Sequence, residues 1–149
     1  MRVMTDAGKA FIKKRESCIL TPHWDAVGEV WDIGYGHVLK NGEAHEPITQ
    51  DEAEALFDLD IHYYSDTVDT EVLVPTSDGQ FDALCSLTYS MGTSPFKTIS
   101  LLRVLNAGLY ADAGLQFLRW NKSRGSFVNG LLNRRAREQL MYAYGEYLI

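Results

Sequence analysis

Cysteine is nearly absent from this 149-residue chain, which has two. Cys18 and Cys85 lie far apart and form neither a CxxC pair nor a Cys/His ligand spacing, so no cysteine framework organises the fold. They read as two free, mostly buried thiols, with a disulfide or a reactive thiol as the alternatives. The four histidines (His23, His37, His45 and His62) also lack ligand spacing, so neither a metal nor any other cofactor is expected. No apolar run approaches the roughly 20 residues of a membrane span, which excludes membrane insertion. The opening MRVMTDAGKAFIKKRE turns polar too soon for the apolar region of a signal peptide, and the chain is expected to begin in a cytoplasm. No repeat, low-complexity tract or Pro/Gly/Ser linker divides it. A single domain over 1–149 is expected, long enough to bury a core.

Base is absent from residues 43 to 82, which hold twelve acids and neither Lys nor Arg. Residues 119 to 137 show the reverse, with Arg119, Lys122, Arg124, Arg134, Arg135, Arg137 and no acid. The acidic run reads as a solvated helix face. The basic run is a candidate contact for a polyanion, although a net charge of −6 and the absence of a reading motif argue against nucleic acid.

Periodicity predicts the elements. A first helix runs from Thr5 or Asp6 to about Cys18, with Asp6 as its cap. Residues 19 to 48 mix β-branched and aromatic residues with Gly and an Asn-Gly pair, the composition of short strands joined by turns. Thr49 and Glu52 form a capping box that opens a long helix to about Asp66. Ser77 and Gln80 open another helix, which Gly92 closes. Three further helices are predicted over 98–106, 110–120 and 130–147. The result is an α+β fold: a small β-rich lobe over 19–48 and a larger helical lobe over 77–149 plus the N-terminal helix over 5–18, the two joined by the long helix.

Two lobes imply a cleft, and three carboxylates fall beside it: Glu16 at the end of the first helix, Asp25 in HWDAVG, and Asp32 in DIGYGH. Glycosidic hydrolysis needs a proton donor for the leaving oxygen and a second group to activate water or stabilise positive charge. A Glu beside apolar surface and a better-solvated Asp divide those tasks by environment. In a chain with twenty acids, spacing alone leaves these residues open to a plain turn-forming role. The two glycines of DIGYGH read as a sharp turn that brings backbone close to a sugar without an intervening Cβ.

The segment RESCIL…WDAVGEVWDIGYGHV resembles the active-site stretch of phage-type lysozymes, the family-24 glycoside hydrolases. In these a Glu, eight residues and an Asp precede Thr-Ile-Gly-Tyr-Gly-His. ITQDEAEALFDLDI, GQFDALCSLTYSMG, SLLRVLNAG, FLRWN and GLLNRRAREQLMY follow in the family's order, so the resemblance covers about Gly8 to Tyr142. It implies a lysozyme-like fold and a muramidase that cleaves between N-acetylmuramic acid and N-acetylglucosamine without a cofactor. Glu16 matches the general acid and Asp25 the residue that helps place the attacking water. Tyr89, Ser90, Val38 and Ser100 fall at substrate-wall positions, and His37 matches a structural histidine. Arg134 and Arg135 match a family pair and read as a solvated part of the last helix. The implied partner is the glycan strand of peptidoglycan, met as a monomer. An endolysin of this kind waits in the host cytoplasm until a separate pore-forming protein releases it to the periplasm and cell wall.

This chain departs from the pattern at three points. Asp32 stands where the family has threonine, one extra residue separates it from Gly28, and Ser90 replaces an amide. Asp32 can orient water, accept its proton or attack the sugar directly, and it should repel Asp25. Two other readings stay open: a cell-wall-binding module with the fold but no catalysis, and a lytic transglycosylase, which needs one acid and no attacking water.

Overall fold

Thr5, not Asp6, caps the first helix. In the computed structural model, which describes residues 1–123 and 126–149, Thr5 is extended (φ −68°, ψ 162°) and its hydroxyl accepts from the Gly8 N–H. The same hydroxyl donates to Asp82 Oδ2 at 2.5 Å, tying the helix start to the core. Asp6 occupies the first turn, where its charge complements the helix dipole. Helix α1 spans Asp6–Glu16 and stops short of Cys18, because Ser17 turns to φ 60°. That reversal leaves Glu16 as the last helical residue.

Strands β1 (Ile19–Asp25), β2 (Val30–Gly34) and β3 (His37–Val38) form an antiparallel meander in that order. The register pairs His23 with Asp32, Trp24 with Trp31, Asp25 with Val30, and Asp32 with Val38. Side chains alternate along a strand, so His23, Asp25, Val30, Asp32 and Val38 share one face. Trp24 and Trp31 take the other, with ring centroids 5.6 Å apart.

Both capping boxes form. Thr49 and Glu52 open α2 (Gln50–Glu71), and Ser77 and Gln80 open α3 (Asp78–Met91). Helix α2 runs one turn beyond the expected Asp66, because Val68 remains fully buried on its inner face. Helix α3 is the centre of the core: Phe81, Leu84, Cys85, Leu87 and Tyr89 pack against Phe11, Ile61, Leu101, Phe117 and Met141 from the surrounding helices. Gly92 ends it at φ 94°.

Three details were not expected. A short α4 (Thr93–Phe96) precedes α5 (Ser100–Asn106). The predicted 110–120 helix divides into α6 (Tyr110–Leu115) and a 3-10 turn over Phe117–Arg119. A two-strand ribbon, β4 (Lys122–Ser123) with β5 (Ser126–Phe127), follows. Helix α7 spans Asn129–Tyr144 and ends on left-handed Gly145. Both cysteines are free, and burial pushes the Cys85 thiol well above its ordinary range. No described helix is long and apolar enough to cross a membrane.

His37 links the sheet to α2. Its Nδ1 lies 2.8 Å from Asp60 Oδ2 and its Nε2 2.9 Å from Glu43 Oε2. The Asp60 hydrogen bond, helped by Glu43 and opposed by burial, raises its pKa to about 9. A raised histidine pKa stabilises the fold fully below the unfolded value and loses that contribution as pH climbs through the folded one. Wild type should therefore exceed His37→Gln by on the order of 2–3 kcal/mol near pH 6, with the gap closing by about pH 10. Denaturant melts of both proteins across that range measure it, and a pH-independent gap would contradict it.

Candidate active site

A cleft of about 880 Å³ runs between the sheet and the helical body. One wall presents Asp25, Val30, Asp32 and Val38 from the polar sheet face; the other presents Tyr89, Ser90, Trp120, Lys122 and Arg134. Glu16 lies between them at the α1 terminus. The three predicted carboxylates thus meet in one cavity, together with Tyr89, Ser90 and Val38. Ser100 does not join them. It opens α5, and its hydroxyl donates to Gln116 at 2.7 Å, because that helix packs on α6 away from the cleft.

Glu16 is held from two sides. Arg134 Nη1 donates to its Oε1, and a Cβ added at Gly36 would come within 2.7 Å of Oε2. Gly36 has φ 81°, so glycine meets both a left-handed backbone and a close approach. Beyond the sharp turn expected of it, this glycine makes room for the Glu16 carboxylate. Gly34, at φ 65°, lies against the α2 backbone at Ala53. The turn between them is pinned from the helical body. Tyr89 donates its hydroxyl to the Tyr35 carbonyl at 2.5 Å, Tyr35 donates its own to Glu54 at 2.7 Å, and Lys13 pairs with Glu54. Tyr89 is 8% exposed, so its polar end serves as a strut between the lobes.

The arginine pair overturns the solvated reading. Arg134 and Arg135 are 7% and 1% exposed, because their face of α7 packs on α3. Glu138, fully buried, faces Arg134 Nε at 3.3 Å and Arg135 Nη2 at 3.1 Å, and accepts from the Ser86 hydroxyl. Arg135 Nε lies 2.5 Å from Glu138 Oε1 but is not aligned as a hydrogen bond. Burial works against the Arg134 charge, but Glu16 and Glu138 outweigh it and hold its pKa above the ordinary value. Glu138 is the site-supporting residue that sequence reasoning missed. Its only signal was spacing, three and four residues beyond the arginines. Of the basic run, Arg119 and Lys122 are exposed at the cleft, while Arg124 lies outside the described residues.

The two aspartates differ in environment. Asp25 accepts the Val27 N–H at 3.0 Å and packs against Gly28. Asp32 is raised above the ordinary Asp value, mainly by burial; the His23 hydrogen bond opposes the shift, while Asp25 and Glu16 add to it. No group of three or more His, Cys, Asp or Glu among the described residues could hold a metal ion.

A helical body, a small antiparallel sheet and a carboxylate-lined cleft between them make a lysozyme-like protein. The chain belongs to the phage lysozyme family, whose sequence pattern matches residues 13–138. It is 37% identical over 145 residues to the endolysin of Bacillus phage B103, covering 96% of this chain and 55% of that protein. The chain thus spans about half the length of that relative and of the Bacillus phage PZA endolysin, where the share is 45%. The solved endolysin of Escherichia coli O157:H7 phage FAHEc1 superposes with a TM-score of 0.85 at 29% identity, covering 100% of this chain and 98% of that one. The muramidase domain of SpmX from Asticaccaulis excentricus gives 0.83 at 26%, covering 96% and 99%.

Gly36 and Gly42 test the packing of Glu16. Both have positive φ, but a Cβ at Gly42 meets nothing within 4 Å. Gly42→Ala should cost only the backbone strain, about 1–2 kcal/mol. Gly36→Ala should cost more, because the Glu16 carboxylate must also move. Equilibrium denaturation of the two variants compares them directly, and equal losses would show that Glu16 yields freely.

Proposed function

We propose that this chain is a muramidase, hydrolysing the β-1,4 bond between N-acetylmuramic acid and N-acetylglucosamine in peptidoglycan during host cell-wall lysis. The observation that carries this reading is the meeting of Glu16, Asp25 and Asp32 in one cleft, with Glu16 fixed by Arg134 and Gly36. Family membership and its likeness to phage endolysins and a muramidase domain support it.

Glu16 acts as general acid. Arg134 occupies Oε1, which leaves Oε2 as the oxygen that carries the proton to the glycosidic oxygen. Asp25 and Asp32 share the water-activating task on the sheet wall. A carboxylate with a raised pKa is the stronger base once ionised, and burial gives Asp32 that character. The reaction is inverting, a course that requires about 6.5–9.5 Å between acid and base so that a water fits between base and sugar. Val38, Tyr89 and Ser90 contact the glycan along the cleft walls. Arg119 and Lys122 add positive charge at its exposed end, effective only within the screening length of about 8–10 Å.

Asp32 in place of threonine favours one competing reading, a wall-binding module without turnover. Muropeptides released from purified peptidoglycan decide between them. Reducing muramic ends mean hydrolysis, anhydro ends a transglycosylase, and no products a binding module.

Glu16→Gln removes the proton while nearly keeping the shape. Turnover should fall by at least about 10²-fold with glycan binding retained; wild-type clearing of cell walls by this variant would refute the assignment. Asp32→Ala should lose most activity, whereas Asp32→Thr should keep a substantial part by supplying a hydroxyl. The first-released anomer, read by NMR, should be α. A β product means retention and makes Asp32 a nucleophile instead.

A further inference from the structure

Asp32 has a partner that the proposed chemistry has not yet used. His23 sits directly across from it in the β1–β2 register, on the sheet face that holds Asp25. Its Nδ1 lies 3.1 Å from Asp32 Oδ1. An ionised carboxylate can only accept, so Nδ1 carries the proton and donates it. Among the described residues, Asp32 Oδ2 takes no hydrogen bond. His23 is about half exposed at its side chain, while Asp32 is 20% exposed. The imidazole therefore reaches in from the rim to a carboxylate on the cleft wall.

We propose that His23 is a positioning residue for water activation: it holds Asp32 by Oδ1, so that Oδ2 remains the acceptor for the attacking water. The inference rests on the hydrolytic reading above. In that step the water oxygen bonds to the anomeric carbon as the glycosidic C–O bond breaks. The water's proton passes to Asp32 Oδ2, and the leaving oxygen takes the proton of Glu16. A threonine hydroxyl at this position would orient water by itself, since its single oxygen is placed by χ1 alone. An aspartate has a second torsion and two equivalent oxygens, so a fixed donor on one of them defines where the other points.

The charged surroundings set the sign of the effect. Asp32 faces His23 and Asp25 from β1 and Glu16 from the end of α1, with Arg134 of α7 engaged by Glu16. Val38, opposite on β3, is apolar. Burial and the two carboxylates all raise Asp32, and among the described residues His23 is the neighbour that lowers it. Without His23 the carboxylate should protonate at higher pH, and the acid limb of turnover should move upward with it.

Three proteins test this: wild type, His23→Ala, and His23→Asn, whose amide N–H reaches close to the Nδ1 position. Carboxyl-carbon NMR should show the Asp32 titration midpoint rising in His23→Ala and returning toward wild type in His23→Asn. An unmoved midpoint overturns the proposal. On peptidoglycan, His23→Ala should lower kcat roughly tenfold, less than the 10²-fold or more that losing the base itself costs. KM should stay within about twofold and the acid limb should shift upward, with His23→Asn restoring most of the rate. In an Asp32→Thr background the same His23→Ala change should cost nothing, since the carboxylate it holds is gone; an equal loss in both backgrounds overturns the proposal. A wild-type protein that releases no reducing ends removes the hydrolytic reading and this role with it. The carboxyl titration would still show whether His23 holds Asp32, so the two failures are distinguishable.

Discussion

The buried contact between Glu138 and the two arginines of α7 is the constraint on which the site depends. Removing two guanidinium groups and a carboxylate from water carries a heavy desolvation cost, which only close pairing and full hydrogen bonding offset. Glu138 supplies the countercharge, Ser86 of α3 donates a hydroxyl, and the Ser86 carbonyl accepts from Arg134 at 3.3 Å. With Arg134 immobilised in this way, one of its donors is left to reach Glu16 across 118 residues of sequence. The position of the candidate acid is thus set by packing in the middle of the helical lobe.

The sheet is joined to that lobe by short polar links on several sides. His37 meets Asp60, Tyr35 and Lys13 meet Glu54, and Tyr89 meets the Tyr35 carbonyl. Each crosses from the N-terminal helix or the sheet to α2 or α3, and each is at least partly shielded from solvent. Glu16 and the aspartates stand on different elements, so these links hold the cleft to one width. Width matters chemically, because the room between acid and base separates water attack from direct attack on the sugar.

Glycine and strain contribute at the same place. The helix stops at Glu16 because Ser17 adopts φ 60°, an uncommon backbone for a residue with a side chain. The chain then returns through Gly34 and Gly36 so closely that a methyl group at Gly36 would strike the carboxylate. Local strain of this kind persists only where surrounding contacts over-determine it, and the pinned Tyr35 turn supplies them.

Elements whose signal is local were legible in the sequence. Two capping boxes, the glycine stop after Met91, the strand-and-turn composition of 19–48 and the α+β order all follow from neighbours a few positions apart. The three carboxylates were identified by the ordered set of family motifs, not by spacing, since twenty acids offer many such trios. What remained hidden depends on contacts far apart in the chain. Basic residues normally face water, so Arg134 and Arg135 looked solvated until α3 was seen to cover them and Glu138 to neutralise them. The acidic run likewise read as one solvated face, yet Asp60, Glu54 and Asp82 each anchor a distant group. Ser100 carried a family position into a helix packed away from the cleft. Sequence alone determined the elements and the chemistry available to them, because caps and periodicity act within a few residues. Tertiary structure decided which charges are buried and paired, because that depends on which faces meet.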